Sequence, residues 1–300
     1  MPEHAARRGA GKSAPAPVAS RPPSRRTTAT LLAVDVGNSD TVVGLFGGEE
    51  LRGFWRLTSG PMTADEARMR IEQLVRSLDS AGPAAAARSG AGRAPGLAGL
   101  PPADGAVLCS VVPALTLPWA EALARWIGQP PVEVGVATAR SLPIRYHDPT
   151  AVGADRLANA IAARDLYGTP AIVVDLGTAT TFDCVSESGE YLGGAIAPGV
   201  GTSAEELFRR AARIPRVELR RPERALGRTT EESLRAGVLW GAAGQVDALV
   251  RRLAREMSGT PQVIATGGWA KIVAGECETV QHVDEALTLK GMRILWEEQA

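Results

Sequence analysis

The chain has 300 residues, 45% of them hydrophobic, which is enough for one large or two ordinary domains with a substantial buried core. Its 33 basic and 33 acidic residues cancel, so the chain has neither the positive charge typical of a nucleic-acid-binding protein nor the excess of acid typical of a highly solvated acidic protein. A function on small molecules fits this balance best. The three cysteines lack the spacing of a metal site or disulfide framework, and no apolar run approaches the ~18 residues of a membrane span, so we expect a cytoplasmic protein that contacts no membrane.

Residues 1–29 are rich in alanine, arginine, proline and serine and show no hydrophobic periodicity, so we predict a disordered tail. Its excess of arginine over acidic residues would also suit a transit peptide, a weaker alternative. The tail includes ARRGAGKS at 6–13, which approximates a phosphate-binding P-loop. A working P-loop lies between a buried strand and a helix, and neither flank has such a pattern, so we ascribe this match to chance.

The first regular segment, LLAVDVGNSDTVVGLF at 31–46, is an apolar run interrupted by Asp35 and then by a glycine. Taken alone it is typical of a hairpin, because glycine and asparagine tolerate the backbone angles of tight turns. The second interpretation is a binding site for a phosphate and its metal ion. Small residues after a strand let backbone amides reach phosphate oxygens, and a carboxylate at that place can hold Mg²⁺.

The remaining elements of the N-terminal half follow in order. The capping box TADE at 63–66 predicts the start of an amphipathic helix. Residues 79–104 are rich in glycine, alanine and proline, which predicts a flexible loop or insertion. A buried strand at 106–112 and a helix at 114–127 complete a first domain that we place at 30–149.

The second predicted domain, residues 150–300, opens with a helix over 153–167. The first turn of this helix carries Asp155 and Arg156 in an otherwise apolar sequence. Ordinary surface charge at a helix start is one interpretation. The other is a general base at a substrate hydroxyl, Asp155, beside a clamp for an anionic group, Arg156.

The stretch AIVVDLGTATTFDCV at 171–185 repeats the pattern of the first segment. A buried strand again ends in an aspartate, here Asp175, followed by a glycine and small residues, and a second apolar strand returns. This weak internal repeat predicts two like domains that face each other. It therefore favours the phosphate interpretation over two unrelated hairpins.

Two further capping boxes predict helices that begin at Ser203 and Thr229. The second of these helices carries three glycines, at 237, 241 and 244, on a face that another backbone can approach closely. A closing helix is predicted over 285–298.

Seven segments occur in order along the chain: DVGNS, GADRLANAIAA, VVDLGTATTFDCV, GGAIAPGV, LGRTTEES, ATGG and HVDEALTLKGMR. With them, the chain from Leu31 onward resembles the type III pantothenate kinases, a family within the actin, sugar kinase and acetate kinase superfamily. The resemblance implies an α/β fold of two duplicated RNase H-like (actin-like ATPase) domains with a cleft between them. It also implies ATP-dependent phosphorylation of pantothenate to 4′-phosphopantothenate, the first step of coenzyme A biosynthesis. The alternatives are a non-catalytic regulatory homologue and a kinase for another small hydroxy acid.

The resemblance also implies roles for individual residues. Those implied to bind ATP are Asp35, Val36, Gly37, Asn38, Ser39, Asp40, Thr41, Val42 and Thr178. Those implied to bind pantothenate are Tyr146, Gly153, Ala154, Asp155, Arg156 and Thr230, with Asp155 as the proton acceptor and Thr230 near the interface of a homodimer. Asp35 is implied to hold Mg²⁺ through the phosphates, and Asp175 to hold a monovalent cation, K⁺ or NH₄⁺.

Three residues depart from the family pattern. Ser39 stands where threonine is usual but keeps the hydroxyl, and Thr229 stands where asparagine is common. Asp40 adds a negative charge beside the phosphate loop. We expect the turn to direct Asp40 outward, because a carboxylate pointing at the phosphates would repel ATP.

Overall fold

The computed structural model describes residues 29–80 and 103–299. The predicted tail, apart from Ala29, lies outside these residues, as do residues 81–102 of the predicted loop or insertion.

A five-stranded mixed sheet forms the first half of the fold, in the order β3-β2-β1-β4-β5. Its strands are β1 (Thr30–Val36), β2 (Asp40–Gly47), β3 (Glu50–Thr58), β4 (Gly105–Ser110) and β5 (Val132–Glu133). Strands β1 to β3 are antiparallel neighbours, whereas β4 and β5 run parallel to β1. The central strand β1 is buried along most of its length, while the outer strand β3 alternates exposed and half-buried residues, as expected of a sheet edge.

Two helices cover the outer face of this sheet, α1 (Ala64–Ser80) and α2 (Pro113–Ile127). The predicted capping box at the start of α1 is confirmed. The backbone N–H of Thr63 donates to Glu66 Oε2 at 2.7 Å, and the backbone N–H of Glu66 donates to Thr63 Oγ1 at 3.2 Å.

The second sheet repeats the first, in the order β10-β9-β6-β7-β8. Its strands are β6 (Ala171–Leu176), β7 (Ala179–Val185), β8 (Tyr191–Pro198), β9 (Gln262–Thr266) and β10 (His282–Val283). Strands β6 to β8 are antiparallel, and β9 and β10 run parallel to β6. The predicted internal repeat is therefore confirmed as a duplicated RNase H-like arrangement.

Five helices belong to the second half of the chain. They are α3 (Ala154–Tyr167), α4 (Val200–Arg210), α5 (Thr230–Glu256), α6 (Ala270–Val273) and α7 (Leu287–Glu298). Helix α3 lies on the second sheet and α7 lies on the first, although α7 follows the second sheet in sequence. The two helices pack against each other and form the core between the sheets. A Cβ atom at Gly291 of α7 would collide with the carbonyl of Ala158 of α3, so this crossing requires glycine.

The helix predicted to begin at Ser203 begins three residues earlier, so that prediction was wrong. The backbone N–H of Ser203 donates to the carbonyl of Gly199 at 2.9 Å, within the first turn of α4. The helix starts where Gly199 passes against the carbonyls of Gly177 and Thr178, a close approach that only glycine permits. A cap inferred from two side chains could not reveal that tertiary contact. None of the helices in residues 29–80 and 103–299 combines the length and the apolar composition needed to cross a bilayer.

Candidate active site

Two turns related by the internal repeat face each other between the sheets. The β1–β2 turn spans residues 37–39, and the β6–β7 turn spans residues 177–178. The hydroxyls of Ser39 and Thr178 share a hydrogen bond of 2.8 Å, which joins the two turns. The predicted phosphate-binding stretches of the two halves therefore meet at one place.

The residues around the first turn divide into exposed and packed groups. Asn38 and Ser39 are exposed, whereas Val36 and Val42 pack in the core. The Thr41 hydroxyl is fully buried and lies 2.8 Å from the hydroxyl of Ser59, which donates to the carbonyl of Gly37 at 2.7 Å. Val36, Thr41 and Val42 thus fix the shape of the turn, and Asn38 and Ser39 present polar groups.

Three half-buried carboxylates line one cleft between the sheets, which we name the carboxylate cleft: Asp35, Asp155 and Asp175. Asp35 and Asp175 are the penultimate residues of β1 and β6, the equivalent positions of the two repeats. Asp155 lies in the first turn of α3. Gly37, Asn38, Val42 and Thr178 line the same cleft.

The cleft disfavours charge on its three carboxylates. Burial, and then the negative charge of Asp155, raise the pKa of Asp35 to about 7 and that of Asp175 also to about 7. Burial also raises the pKa of Asp155, although the hydrogen bond from the backbone N–H of Arg156 acts to lower it. A cation bound among these groups would offset their mutual repulsion, so the donor set suits cation binding.

The same residues limit how a metal could be held. Within residues 29–80 and 103–299, no three histidine, cysteine, aspartate or glutamate side chains form a ready metal cluster. A metal at Asp35 or Asp175 would therefore take its other ligands from the bound substrate and water. Mg²⁺ commonly binds in this way, through one or two carboxylates and phosphate oxygens.

Asp155 is held by its own helix. Its Oδ1 accepts the backbone N–H of Arg156 at 2.8 Å. A Cβ atom at Gly153 would lie 2.5 Å from that same oxygen. A side chain at position 153 would therefore force this carboxylate to shift, so the glycine of the GADR segment leaves the carboxylate where it is. Ala154 is the first residue of the helix.

Arg156 is fixed by a buried network that sequence reasoning missed. Its Nε donates to Asp183 Oδ1 at 2.7 Å, and the Tyr191 hydroxyl donates to the same oxygen at 2.8 Å. The guanidinium carbon lies 5.9 Å from the centre of the Tyr191 ring. Burial raises the pKa of Asp183 to about 6, although Arg156 and Tyr191 act to lower it. The sequence signal that could have revealed this network is Asp183 itself, a carboxylate inside an apolar strand that no turn follows directly.

Tyr146 joins this network from the exposed side. Its ring centre lies 6.4 Å from that of Tyr191, tilted by 54°, and the Tyr146 side chain is partly exposed. Tyr146, Gly153, Ala154, Asp155 and Arg156 are thus brought into one region of the fold by contacts around the start of α3.

Asp175 is supported by two residues that the sequence did not single out. Asn159 of α3 donates its Nδ2 to Asp175 Oδ2 at 3.0 Å. Thr288 of α7 in turn donates its hydroxyl to Asn159 Oδ1 at 2.8 Å. Asn159 is fully buried, so this chain of hydrogen bonds fixes the rotamer of Asp175 from the core side.

Thr230 does not line the carboxylate cleft within one chain, and neither do Tyr146, Gly153, Ala154 and Arg156. Thr230 is the exposed first residue of α5. Thr229 caps the helix, with its hydroxyl accepting the backbone N–H of Glu232 at 3.2 Å, as predicted.

Asp40 forms an ion pair. Its Oδ2 accepts Nη1 of Arg56 at 3.3 Å, and the Asp40 side chain is 41% exposed. Both residues line the carboxylate cleft and the adjacent cavity, which we name the outer cavity and which is also lined by Gly201, Phe208 and Trp269. The Asp40 side chain is therefore neither fully exposed to solvent nor without a partner at the β1–β2 turn.

Two duplicated RNase H-like domains around a carboxylate-lined cleft define the actin-like class of ATPases and kinases. Solved structures with this fold include a putative Baf family transcriptional activator from Campylobacter jejuni (TM-score 0.52, 19% identity, 89% of this chain and 98% of that one). The ethanolamine utilization protein EutJ from Carboxydothermus hydrogenoformans is similar (TM-score 0.50, 14% identity, 93% of this chain and 91% of that one). At these identities the likeness concerns the fold alone.

The family follows from sequence similarity. A family model described as type III pantothenate kinase matches residues 31–252. The type III pantothenate kinases of Moorella thermoacetica and Streptomyces avermitilis are each 44% identical to the chain, over 270 and 274 residues. These matches cover 89% of this chain and 98% and 97% of the two relatives. The chain therefore belongs to the type III pantothenate kinase family and is a kinase.

Removal of one cleft carboxylate should stabilise the ligand-free protein at alkaline pH. With a folded pKa of about 7 against ~3.9 in the unfolded chain, Asp35 binds a proton more tightly when folded, so stability rises as the pH falls from above 7 towards 4. Asp35→Asn removes this penalty, and at pH 8 its free energy of unfolding should exceed the parent's by about 4 kcal/mol, which corresponds to the difference of about three between the two pKa values. Denaturant unfolding at pH 8, 6.5 and 5 measures the difference, which should shrink as the pH falls. Glu50→Gln, an exposed acid at the start of β3, is the control. An advantage of Asp35→Asn that is independent of pH would contradict this explanation.

Proposed function

We propose that the protein transfers the γ-phosphoryl group of ATP to pantothenate, giving 4′-phosphopantothenate at the first step of coenzyme A biosynthesis. The observation that carries the proposal is the convergence of Asp35, Asp155 and Asp175 on one cleft between two equivalent turns. Membership of a family whose relatives are named pantothenate kinases supports the choice of acceptor.

Asp155 is proposed as the general base. Its carboxylate would accept the proton of the pantothenate primary alcohol as that oxygen forms a bond to the γ-phosphorus. The bond between the γ-phosphorus and the β–γ bridging oxygen breaks, ADP leaves with its electron pair, and Asp155 returns the proton to solvent. Burial raises the pKa of Asp155, which makes its carboxylate a stronger base than an exposed one.

ATP is proposed to span the outer cavity and the carboxylate cleft. Its phosphates would face the β1–β2 turn, where Gly37, Asn38 and Ser39 offer backbone amides and short polar side chains. The Thr178 hydroxyl would face the phosphates from the opposite β6–β7 turn. The Ser39 and Thr178 hydroxyls, now bonded to each other, would exchange this contact for phosphate oxygens. The nucleoside would lie in the outer cavity beside Trp269.

Cations are proposed at both strand ends. Asp35 would hold Mg²⁺ through the phosphates, and Asp175, fixed by Asn159, would hold K⁺ or NH₄⁺. When bound, such ions supply positive charge against the phosphates and against the carboxylates themselves.

Pantothenate is proposed to lie at the start of α3. Its carboxylate would be bound by Arg156, whose Nε donates to Asp183 and whose terminal amino groups form no hydrogen bond within residues 29–80 and 103–299. Tyr146 would cover the substrate from the exposed side, and Thr230 of the second subunit of a homodimer would complete the pocket.

A coupled assay of ADP release tests the reaction and its cation requirement together. With Mg²⁺, ATP and pantothenate, the rate should rise with K⁺ or NH₄⁺ and stay low in Na⁺ alone, because Asp175 would hold the monovalent ion. Asp175→Asn should lose this response to K⁺. Equal rates in K⁺ and Na⁺ would leave Asp175 as a structural residue.

Parallel reactions with other small hydroxy acids test the choice of acceptor. A faster rate with one of them than with pantothenate would replace the proposed substrate and keep the kinase. No turnover with any acceptor would favour a regulatory homologue.

A further inference from the structure

The carboxylate cleft is strongly acidic for a site proposed to receive a nucleoside triphosphate. Five carboxyl side chains line it: Asp35, Asp40, Asp155, Asp175 and Glu285. Among the described residues, Arg56 is the one basic side chain in that lining. Phosphate oxygens entering the cleft need positive charge from the protein as well as from bound ions, and Arg56 is the side chain placed to supply it.

Arg56 stands where the two cavities join. It belongs to the outer strand β3, and it lines both the carboxylate cleft and the outer cavity. A Cβ atom built on Gly268, in the loop after β9, would lie 3.6 Å from Nη1 of Arg56. The guanidinium therefore reaches from the first sheet to the loop of the second, across the path between the two cavities.

The ion pair with Asp40 leaves most of the guanidinium available. Only Nη1 donates to Asp40, at 3.3 Å, and within the described residues no other hydrogen bond of Arg56 is formed. The two side chains are 35% and 41% exposed, and ion pairs of this kind contribute little to stability. The planar fork of arginine has five N–H donors and matches phosphate oxygens in a bidentate manner, so a phosphate would compete well for it.

We propose that Arg56 binds the terminal phosphate of the nucleoside triphosphate at the junction of the two cavities, and that Asp40 holds Arg56 there when no nucleotide is bound. This role rests on the proposed function in that it assumes a nucleoside triphosphate in the outer cavity. It also gives Asp40, beside the β1–β2 turn, a role, because its carboxylate occupies Nη1 of Arg56 until a phosphate displaces it.

Nucleotide affinities test the assignment without reference to the acceptor. Calorimetry would measure the Kd of a non-hydrolysable ATP analogue and of AMP, each with Mg²⁺. Arg56→Met should weaken binding of the analogue by about 30–100-fold and that of AMP by less than about threefold, since AMP lacks the terminal phosphate. Arg56→Lys keeps the charge but loses the planar fork of donors, so its affinity for the analogue should lie between those of Arg56→Met and the parent. Arg52→Met, on the same exposed face of β3 and outside both cavities, is the matched control and should match the parent.

Asp40→Asn separates phosphate binding from a structural ion pair. If Arg56 binds phosphate, Asp40→Asn should leave the affinity for the analogue equal or tighter, while Arg56→Met remains weak. Equal weakening by both substitutions, or parent-like binding by Arg56→Met with unchanged thermal unfolding, would overturn the assignment. If the affinities behave as expected but pantothenate is not phosphorylated, the proposed function fails and the role of Arg56 stands. If pantothenate is phosphorylated and Arg56→Met binds like Arg52→Met, the assignment alone fails.

Discussion

Asp155→Asn should lower kcat by about 10²–10⁴-fold while the affinity for ATP stays within about threefold of the parent. The substitution keeps the size of the side chain and can still accept the backbone N–H of Arg156, but it cannot take a proton from the substrate hydroxyl. Steady-state kinetics with pantothenate and direct nucleotide binding measure the two effects separately.

The matched control for this variant is Asp165→Asn, the same change near the far end of α3. Asp165 pairs with Arg164 at 2.6 Å and does not line the carboxylate cleft. It should retain parent-like kcat. Near-normal turnover by Asp155→Asn would remove Asp155 from the proposed mechanism, whatever the control does.

Gly241→Trp should yield monomers with severely reduced activity. The three glycines of α5, at 237, 241 and 244, are exposed, and a Cβ atom on any of them would meet nothing within 4 Å. Beside them runs an apolar groove between α4 and α5, lined by residues that include Val200, Leu207, Leu234 and Val238. A face of this kind suits close packing of a second helix, and a twofold dimer is the commonest arrangement of identical chains.

Sedimentation and kinetics on the same samples test this prediction, with Gly60→Trp as a control at a glycine that is also open. A fully active monomer at assay concentrations would detach Thr230 from the substrate pocket. Subunit mixing gives a sharper test. If each pocket takes Asp155 from one chain and Thr230 from the other, a mixture of inactive Asp155→Asn and inactive Thr230→Arg should recover about a quarter of the parent activity. No recovery from subunits that exchange would contradict a shared pocket.

The local parts of the site could be predicted from the sequence. A strand that ends in Asp-x-Gly and small residues leaves a chemical pattern in adjacent positions, and its recurrence at Asp35 and Asp175 predicted the duplicated fold. The capping boxes at Thr63 and Thr229 are equally local. The first is confirmed in full, whereas at Thr229 the cap hydrogen bond forms but Glu232 accepts the backbone N–H of Arg228 instead of that of Thr229. The domain boundary that we placed at residue 149 stays a prediction. The C-terminal helix α7 packs on the first sheet and so links the two halves of the chain, which the sequence pattern did not suggest.

The contacts that support the site are distant in sequence and left no such pattern. Asp183 binds Arg156 from 27 positions away, and Thr288 reaches Asn159 from 129 positions away. Each of these residues is unremarkable within its own strand or helix, and its role depends on how the two halves pack. The pairing of Asp40 with Arg56 belongs to the same class, because it is set by the register of β2 against β3.

The identity of the product distinguishes phosphorylation of pantothenate from transfer of the phosphoryl group to another acceptor or to water. The protein would be incubated with Mg²⁺, K⁺, ATP and pantothenate, and the products resolved by mass spectrometry and phosphorus NMR. We expect one phosphate monoester on the primary hydroxyl of pantothenate for each ADP formed, and loss of both products with Asp155→Asn. Binding of ATP with no phosphorylated pantothenate, or ADP formed with free phosphate alone, would contradict the proposed function.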